Sequence, residues 1–518
     1  MSADAATRTA PRTSWRLDVA NEEATLALAA DLSKLLVAGD VVALSGDLGT
    51  GKTTFARSLI RAIAGDPALE APSPTFTLMQ IYEGDFGKIV HADFYRINAA
   101  SDVAELGWEE ACEGALLLVE WAERARELFS GDYLEIRFSF AEPERRDARI
   151  VNIAGYGAFA PRLATFKAMQ EFLRGAGWAD ARRTFLQGDA SSRAYETLEK
   201  PDGGRAILMI SPARPDGPPI RYGKSYSAIA RLAENVRAFV AVAEGLSAQG
   251  LSAPKVLAHD LDAGLLIVED LGREGVVDEN GPIAERYLES VGALAHLHAR
   301  KLPDVLPISG DGAYHIPPYD LDAQLIEVEL LIDWYVSHIT RAIIASGARA
   351  VFVNLWRKAL IDIAPATPTW TLRDYHSPNL LWLPDREGVR RVGIIDFQDC
   401  VLGHPAYDMV SLTQDARVTV PDELEMKLIA HYARARRESE DGFDMASFAK
   451  AYAVLGAQRA TKIMGIFARL DLRDGKPHYL AHLPRVEHYL KKSLRHPALA
   501  DIKAWYEANL PVLFETPA

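Results

Sequence analysis

Cysteine is nearly missing from this chain: Cys112 and Cys400 are the only two in 518 residues. They stand far apart with no ligand residues beside them, which excludes a disulfide framework, offers no zinc-type site and fits a reducing cytoplasm. Long apolar runs are missing as well. No stretch approaches the ~18 residues that a membrane-spanning helix needs, and Met1 to Thr13 is small and polar, without a hydrophobic segment of signal-peptide type. The expectation is a cytoplasmic protein with no direct membrane contact. Positive charge is not in excess either. A net charge of -14 argues against broad nonspecific nucleic-acid binding, and neither an internal repeat nor a low-complexity tract follows the polar start. What remains, 49% hydrophobic and 25% charged residues, is the composition of a soluble globular protein with material for two or three domains.

The first informative stretch is Val41 to Thr54, Val-Val-Ala-Leu-Ser-Gly-Asp-Leu-Gly-Thr-Gly-Lys-Thr-Thr. Val41 to Leu44 predicts a short buried strand. Gly46, Gly49 and Gly51 let the chain turn so that successive N–H groups, with Asp47 and Thr50 between them, face one hollow, and a helix begins at once with Lys52, Thr53 and Thr54. Helix N-terminal N–H groups favour an anion, Lys52 adds a full charge beside the β and γ phosphates, and the Thr53 hydroxyl is placed to ligate magnesium. This is a P-loop, preceded by a helical pattern over Glu22 to Val37.

Downstream, Ser73-Pro-Thr-Phe-Thr77 is a proline-stiffened turn before a strand over Leu78 to Tyr82. A strand over Ile89 to Ala92 delivers Asp93 at its C-terminal end, and one over Ala115 to Val119 delivers Glu120 and Trp121. Ligand sites of α/β sheets lie at such ends. Two carboxylates beside a P-loop suit a magnesium nucleotide, which needs oxygen ligands and an acceptor that orients water.

These motifs, together with His91-x-Asp93-x-Tyr95-Arg96, resemble the TsaE family, the ATPase subunit supporting threonylcarbamoyladenosine modification of tRNA, over about residues 14 to 157. The resemblance implies that Lys52 and Thr53 hold phosphates and magnesium, that Ser73 to Thr77, with Thr75 in it, senses the nucleotide, and that Asp93 lies on the magnesium side. It also implies that Glu120 serves both metal and hydrolysis, and that Trp121 lies on the base side. ATP and Mg2+ are the implied cofactors and the other proteins of the modification complex the implied partners, with tRNA contact indirect.

Residues 141 to 163 combine a charged turn, a last strand and the breaker cluster Gly155-Tyr-Gly-Ala-Phe-Ala-Pro161, which places a boundary near Ala160. The expected domains are 14–158 and 162–518. In the second, Gly188-Asp-Ala-Ser191-Ser192-Arg193 is a small-residue loop able to close over phosphates, Ala206 to Ile210 a strand, Ser225 to Leu246 a helix, and Leu265 to Gly272 a buried strand running into a turn. Asp374 and Asn379 stand in Arg373-Asp-Tyr-His-Ser-Pro-Asn379, and Asp396 follows a strand some twenty residues later. Phosphoryl transfer needs a carboxylate to accept a hydroxyl proton and oxygen ligands for magnesium, and this spacing supplies each.

The second set of motifs, completed by Gly403-His-Pro-Ala-Tyr-Asp408, resembles the aminoglycoside phosphotransferase-like kinases over about residues 162 to 515, in particular the amino-sugar kinase branch that phosphorylates N-acetylmuramate and N-acetylglucosamine at the anomeric hydroxyl. By resemblance Asp374 is the catalytic base, Asn379 and Asp396 hold magnesium, and Val268 to Gly272, with Glu269 and Leu271, seats adenine. One departure stands out: Met209 occupies about the position where a kinase strand carries its phosphate-pairing lysine, and Lys200, Arg205 and Lys224 are the substitutes in view. His478 and His482, four apart, lack a third ligand and read as ordinary surface or core histidines.

The expected fold is an α/β P-loop NTPase domain followed by an α+β protein-kinase-like domain. The expected function is a fusion of a tRNA-modification ATPase with a MgATP-dependent amino-sugar kinase. The competing expectation, favoured by Met209, makes the C-terminal half a non-catalytic nucleotide- or sugar-sensing module that regulates the ATPase. A small-molecule kinase built on the P-loop itself is disfavoured because no arginine-rich lid segment is visible.

Overall fold

The computed structural model describes residues 13–515 except 98–101, 104–107, 130, 142–146, 187–192, 214–216, 309 and 441. Two compact units result, divided between Ala179 and Asp180.

The first unit runs β1 (Thr13–Val19), α1 (Glu22–Ser33), β2 (Val41–Ser45), α2 (Lys52–Ala64), β3 (Met79–Gly84), β4 (Gly87–Asp93), α3 (Trp108–Cys112), β5 (Leu116–Glu120), β6 (Leu134–Phe140), β7 (Arg149–Gly155) and α4 (Phe159–Gly175). Its seven-stranded sheet has the order β1-β7-β6-β2-β5-β4-β3. β6, β2, β5 and β4 are parallel neighbours, while β1, β7 and β3 join antiparallel. β2 and β5 read as unbroken apolar runs because both of their faces are covered, as parallel strands require. The P-loop leaves the C-terminal end of β2, with Glu120 and Asp93 at the matching ends of β5 and β4, directly paired in register.

Gly46 is obligatory at that turn. Its φ is +131°, and a Cβ there would collide with the Phe138 carbonyl oxygen. α2 starts from left-handed Gly51 (φ 104°) with no side-chain cap on its first N–H groups, so they stay available to an anion. The helix is held by burying Phe55, Ala56, Leu59 and Ile60, with Phe55 tilted on Phe138 at 5.4 Å.

α4 corrects the boundary expected near Ala160. Phe159, Ala160, Leu163, Phe166, Met169 and Leu173 form its buried face, Trp15 meets Phe166 edge-on at 6.0 Å, and Arg162 pairs with Asp40 at 2.7 Å. The breaker cluster turns the chain back onto β1 and β7 instead of releasing it.

The second unit opens with an antiparallel sheet of β8 (Arg182–Leu186), β9 (Ala194–Glu199), β10 (Arg205–Ile210), β11 (Val256–Asp260) and β12 (Leu265–Glu269), in the order β11-β12-β10-β9-β8. The helix expected over Ser225 to Leu246 is two: α5 (Tyr226–Ala230) and α6 (Arg237–Ala248). Arg231, in the left-handed region (φ 60°), ends the first, and Asp399 accepts the Ala233 N–H at 2.7 Å, gripping the interruption. A helical layer follows: α7 (Ala284–His298), α8 (Leu321–Leu330), α9 (Ser346–Asp362), α10 (Ala406–Thr413), α11 (Asp422–Ser439), α12 (Met445–Asp474), α13 (Leu483–Ser493) and α14 (Ala500–Asn509). Within it two short antiparallel pairs, Thr369–Thr371 with Val401–Gly403 and Leu380–Trp382 with Val392–Ile394, carry the loops of Asp374 and Asp396. Among the described residues no helix is long and apolar enough to cross a membrane.

Because α4 belongs to the first unit, a chain ending at Ala179 should melt cooperatively and one ending at Ala158 should not. Deleting α4 removes five large apolar side chains whose burial is worth about 1.5–3 kcal/mol apiece, together roughly the whole stability of a domain. Circular-dichroism melts of the two truncations check this; matching transitions would put the boundary back near Ala160.

Candidate functional site

In the first unit the structure brings the expected residues together. Lys52, on the first turn of α2, donates from Nζ to the carbonyls of Gly46 at 2.6 Å and Asp47 at 2.9 Å. Thr53 Oγ1 donates to Glu120 Oε2 at 2.7 Å, and Glu120 Oε1 meets His91 Nε2 at 2.9 Å, both His91 and Glu120 being buried. Asp93 Oδ2 accepts from Thr75 Oγ1 at 2.8 Å and Ser73 Oγ at 3.3 Å, and its Oδ1 accepts the Tyr95 N–H at 2.9 Å. The loop is stiffened by Thr50 Oγ1, which donates to the Asp47 carbonyl at 2.8 Å, and by Arg149, which donates to the carbonyls of Thr50 at 3.1 Å and Gly49 at 3.4 Å. Thr54 continues the first turn of α2, half-buried.

Trp121 packs beside the P-loop lysine. Its backbone is left-handed (φ 57°), and its ring lies 3.7 Å from Lys52 Nζ and 5.1 Å from the Tyr95 ring, at the phosphate end of the loop. A desolvated ammonium gains from the negative face of an indole. Burial pulls the Lys52 ammonium below the usual lysine range, against the opposing charges of Glu120, Glu123, Asp93 and Asp47.

In the second unit Asp374 keeps about 40% of its side-chain surface open although it sits deep in the cleft. Burial pushes its carboxyl up, but the neighbouring His376, Lys462, Arg459 and Arg373 outweigh this and leave it below the usual carboxylate range. Asn379 Nδ2 donates to the Asp374 carbonyl at 2.9 Å, which leaves Oδ1 as the acceptor a cation would use. Asp396 Oδ1 accepts from Gln398 Nε2 at 2.7 Å and lies 3.5 Å from Arg193 Nη1. Burial, with the charges of Asp374 and Asp399, raises the Asp396 carboxyl, a repulsion that a divalent cation would relieve. Arg373 (φ 67°) and Asp396 (φ 57°) are non-glycine residues in the left-handed region; such strain gathers where a side chain must be aimed.

β12 ends at Glu269, whose carboxylate pairs with Arg386 at 2.6 Å. Glu269 and Leu271 line one wall of a cavity of about 330 Å³ whose other wall is Trp382 to Arg386. Gly188, Ser191 and Ser192 lie outside the described residues. No cluster of three or more His, Cys, Asp or Glu able to hold a metal occurs among the described residues. His478 packs on Tyr479 at 4.4 Å and His482 on Phe467 at 5.9 Å, as ordinary histidines do.

The first unit matches the family model for threonylcarbamoyl adenosine biosynthesis protein TsaE over residues 19–148, and the second matches that of the phosphotransferase enzyme family over residues 182–449. The chain belongs to both families. It is similar to the N-acetylmuramate/N-acetylglucosamine kinase of Caulobacter vibrioides, 39% identical over 356 residues that make up 67% of this chain and 96% of that protein. It is also similar to the tRNA threonylcarbamoyladenosine biosynthesis protein TsaE of Rickettsia felis, 38% identical over 131 residues, 25% of this chain and 76% of that protein. Among solved structures, an ethanolamine kinase of Plasmodium vivax covers 65% of this chain and 89% of its own, at 11% identity and a TM-score of 0.44.

The phosphotransferase loop rests on residues to which the motifs assign no role. Asp408 of α10 accepts the N–H groups of Leu372 at 2.7 Å and Arg373 at 2.9 Å. Asp415 accepts the Ser377 N–H at 2.9 Å and its hydroxyl at 2.5 Å. The Arg373 guanidinium reaches Glu327 of α8, which Lys462 of α12 also meets at 2.9 Å. Only the neighbourhood of Asp408 in Gly403-His-Pro-Ala-Tyr-Asp408 gave a hint; the others carry no local pattern.

His404, whose Nδ1 accepts the Ala406 N–H at 3.0 Å as α10 begins, is driven by burial down to about 4. Burial, followed by the charges of Arg436 and His404, drives His298 down to about 3. Unfolded histidine titrates near 6.5, so between about 6.5 and 4 the unfolded state binds more protons and stability falls as pH falls. The second unit should therefore lose about 2–3 kcal/mol through His298 alone on going from pH 7 to pH 4.5. Urea unfolding across that range checks it: His298→Gln should flatten the decline, and an unchanged slope in that variant removes His298 as its source.

Proposed function

We propose that the chain joins two ATP-using enzymes: an ATPase serving threonylcarbamoyladenosine modification of tRNA, and a kinase that phosphorylates N-acetylmuramate or N-acetylglucosamine on the anomeric oxygen. The observation that carries the second half is Asp374: an accessible carboxylate held ionised by Lys462, Arg459 and Arg373, beside Asn379 and Asp396. The similarity to an N-acetylmuramate/N-acetylglucosamine kinase covering 96% of that protein supports the sugar class.

A sugar hydroxyl becomes a competent nucleophile when its proton has an acceptor. Asp374 accepts that proton as the sugar oxygen bonds to the γ-phosphorus and the bond to the departing ADP breaks. The lowered carboxyl makes Asp374 a weak base that orients the hydroxyl and takes its proton late, in keeping with a loose transition state. In the first unit, Glu120 positions water, with His91 and the Thr53 hydroxyl fixing its two oxygens. Magnesium, when bound, supplies charge neutralisation on the phosphates; Asn379 and Asp396 in one unit, and Thr53, Asp93 and Glu120 in the other, are the residues to hold it, phosphate oxygens completing so small a ligand set. The partners of the ATPase half are the other proteins of the modification complex, with tRNA reached through them, and the compartment is the cytoplasm.

The full chain with MgATP and a panel of amino sugars, hexoses and aminoglycosides tests the kinase half. Asp374→Asn should lower kcat by about 10²- to 10⁴-fold with little change in sugar affinity, whereas Asp396→Ala should weaken MgATP binding as well, because it deletes a metal ligand. Phosphorus NMR and acid lability identify an anomeric phosphate. If the wild-type chain binds MgATP at this site but transfers phosphate to no panel member, the non-catalytic sensing module replaces the kinase.

For the ATPase half, Glu120→Gln should slow single-turnover hydrolysis by about 10²-fold or more, measured with the modification complex present, while ATP affinity changes far less. Unchanged turnover would take Glu120 off the catalytic residues.

A further inference from the structure

We propose that Arg193 is the cation that clamps the nucleotide phosphates in the second unit, in place of the lysine its central strand lacks; this rests on the kinase reading of the cleft. Met209, at the strand position in question, is buried in the apolar core, pairing across the sheet with Tyr195 on one side and Leu266 on the other, and offers no charge. The three substitutes expected from the sequence stand elsewhere. Lys200 sits in the β9–β10 hairpin, at the opposite end of those two strands from Met209. Arg205 Nε lies 3.7 Å from Asp270. Lys224 is exposed, in a turn where its N–H bonds the Arg221 carbonyl at 2.9 Å.

Arg193 differs from all three. It precedes β9 directly and stands two residues before Tyr195, the register partner of Met209, so the alternation of a strand puts it on the face that Met209 occupies, one strand over. Its side chain is only 16% exposed, and Nη1 stands 3.5 Å from Asp396 Oδ1. The guanidinium is thus inside the cleft, touching a proposed metal ligand, Asp396, whose carboxyl also feels the charges of Asp374 and Asp399. The 3.5 Å separation from Asp396 is long for a charged pair, Asp396 already accepts a shorter bond from Gln398 at 2.7 Å, and the guanidinium also bonds the Tyr195 side chain, which holds it on the face of Met209. A planar, permanently charged fork with several donors suits phosphate oxygens better than one carboxylate oxygen at that range. Arg193 therefore restores the positive charge that Met209 removes, from a neighbouring strand.

The test uses the full chain carrying Lys52→Ala, so that the P-loop contributes no nucleotide binding, and compares MgATP, MgADP and adenosine by calorimetric titration in Arg193, Arg193→Met and Arg193→Lys forms. A charge-assisted hydrogen bond is worth about 1.5–3 kcal/mol, so Arg193→Met should weaken MgATP by roughly 10- to 100-fold, MgADP by less, and adenosine hardly at all, with Arg193→Lys recovering most of the loss. Arg193→Gln serves in the same comparison if thermal melting shows the Met variant unfolded. Equal weakening of all three ligands, as a purely structural partner of Asp396 would produce, overturns the proposal, as does unchanged MgATP affinity. Selective loss of MgATP in a protein that phosphorylates no sugar leaves the clamp standing and removes the kinase reading, so the two fail separately.

Discussion

A carboxylate with no exposed surface, Glu327, underlies the chemistry of the second unit. Burial works against its charge, but Lys462, Arg373 and the Tyr319 hydroxyl overcome that and hold the carboxyl below its usual range. Ions removed from water cost several kcal/mol each unless geometry and hydrogen bonds compensate; here Gln458 Nε2 adds a bond to Glu327 at 3.1 Å and the Ala230 carbonyl takes one from Arg373 at 3.0 Å. The cluster ties α8, α12 and the loop of Asp374 together. It also explains why Arg373 tolerates a left-handed backbone: its side chain is anchored at the far end, and its own N–H is fixed by Asp408.

Structure and chemistry are therefore coupled through the same charges. Arg373 and Lys462, which stabilise Glu327, are also among the cations that keep Asp374 ionised. The first unit meets the same difficulty, an excess of carboxylates around one site, with fewer cations. There Lys52 is bound by loop carbonyls and the face of Trp121, while a buried histidine and a threonine hydroxyl, His91 and Thr53, orient the two oxygens of Glu120. Both arrangements hold negative side chains ready beside a place for phosphate.

Legibility followed locality. The P-loop, the strand-end carboxylates and the Asp374–Asn379–Asp396 set each combine a periodic apolar run with a short motif, and the strand ends fell where the apolar runs stop. What the sequence hid depends on distant contacts. Glu327 and Lys462 look like ordinary helix residues until α8 and α12 pack around Arg373. The break between α5 and α6 comes from Asp399, 166 residues away from Ala233. The helix α4 hid behind glycines and a proline that read as a linker, because its role is set by Trp15 at the other end of the unit. The contact of Trp121 with Lys52 was hidden too, because a ring beside an ammonium and a ring beside a base have the same sequence signature.

Each site takes its described polar partners from its own unit. Lys52, Thr53, Asp93 and Glu120 bond to residues between Gly46 and Glu120, while Asp374, Asn379 and Asp396 meet Arg193, His376, Gln398 and Arg459. The large core of the second unit draws on residues from Leu186 onward, and the first unit buries its own apolar residues beneath its sheet. Side-chain coupling decays once partners are no longer shared, so a substitution in either constellation acts first on the described partners named for it. Covalent joining then adds a fixed one-to-one ratio of the two sites.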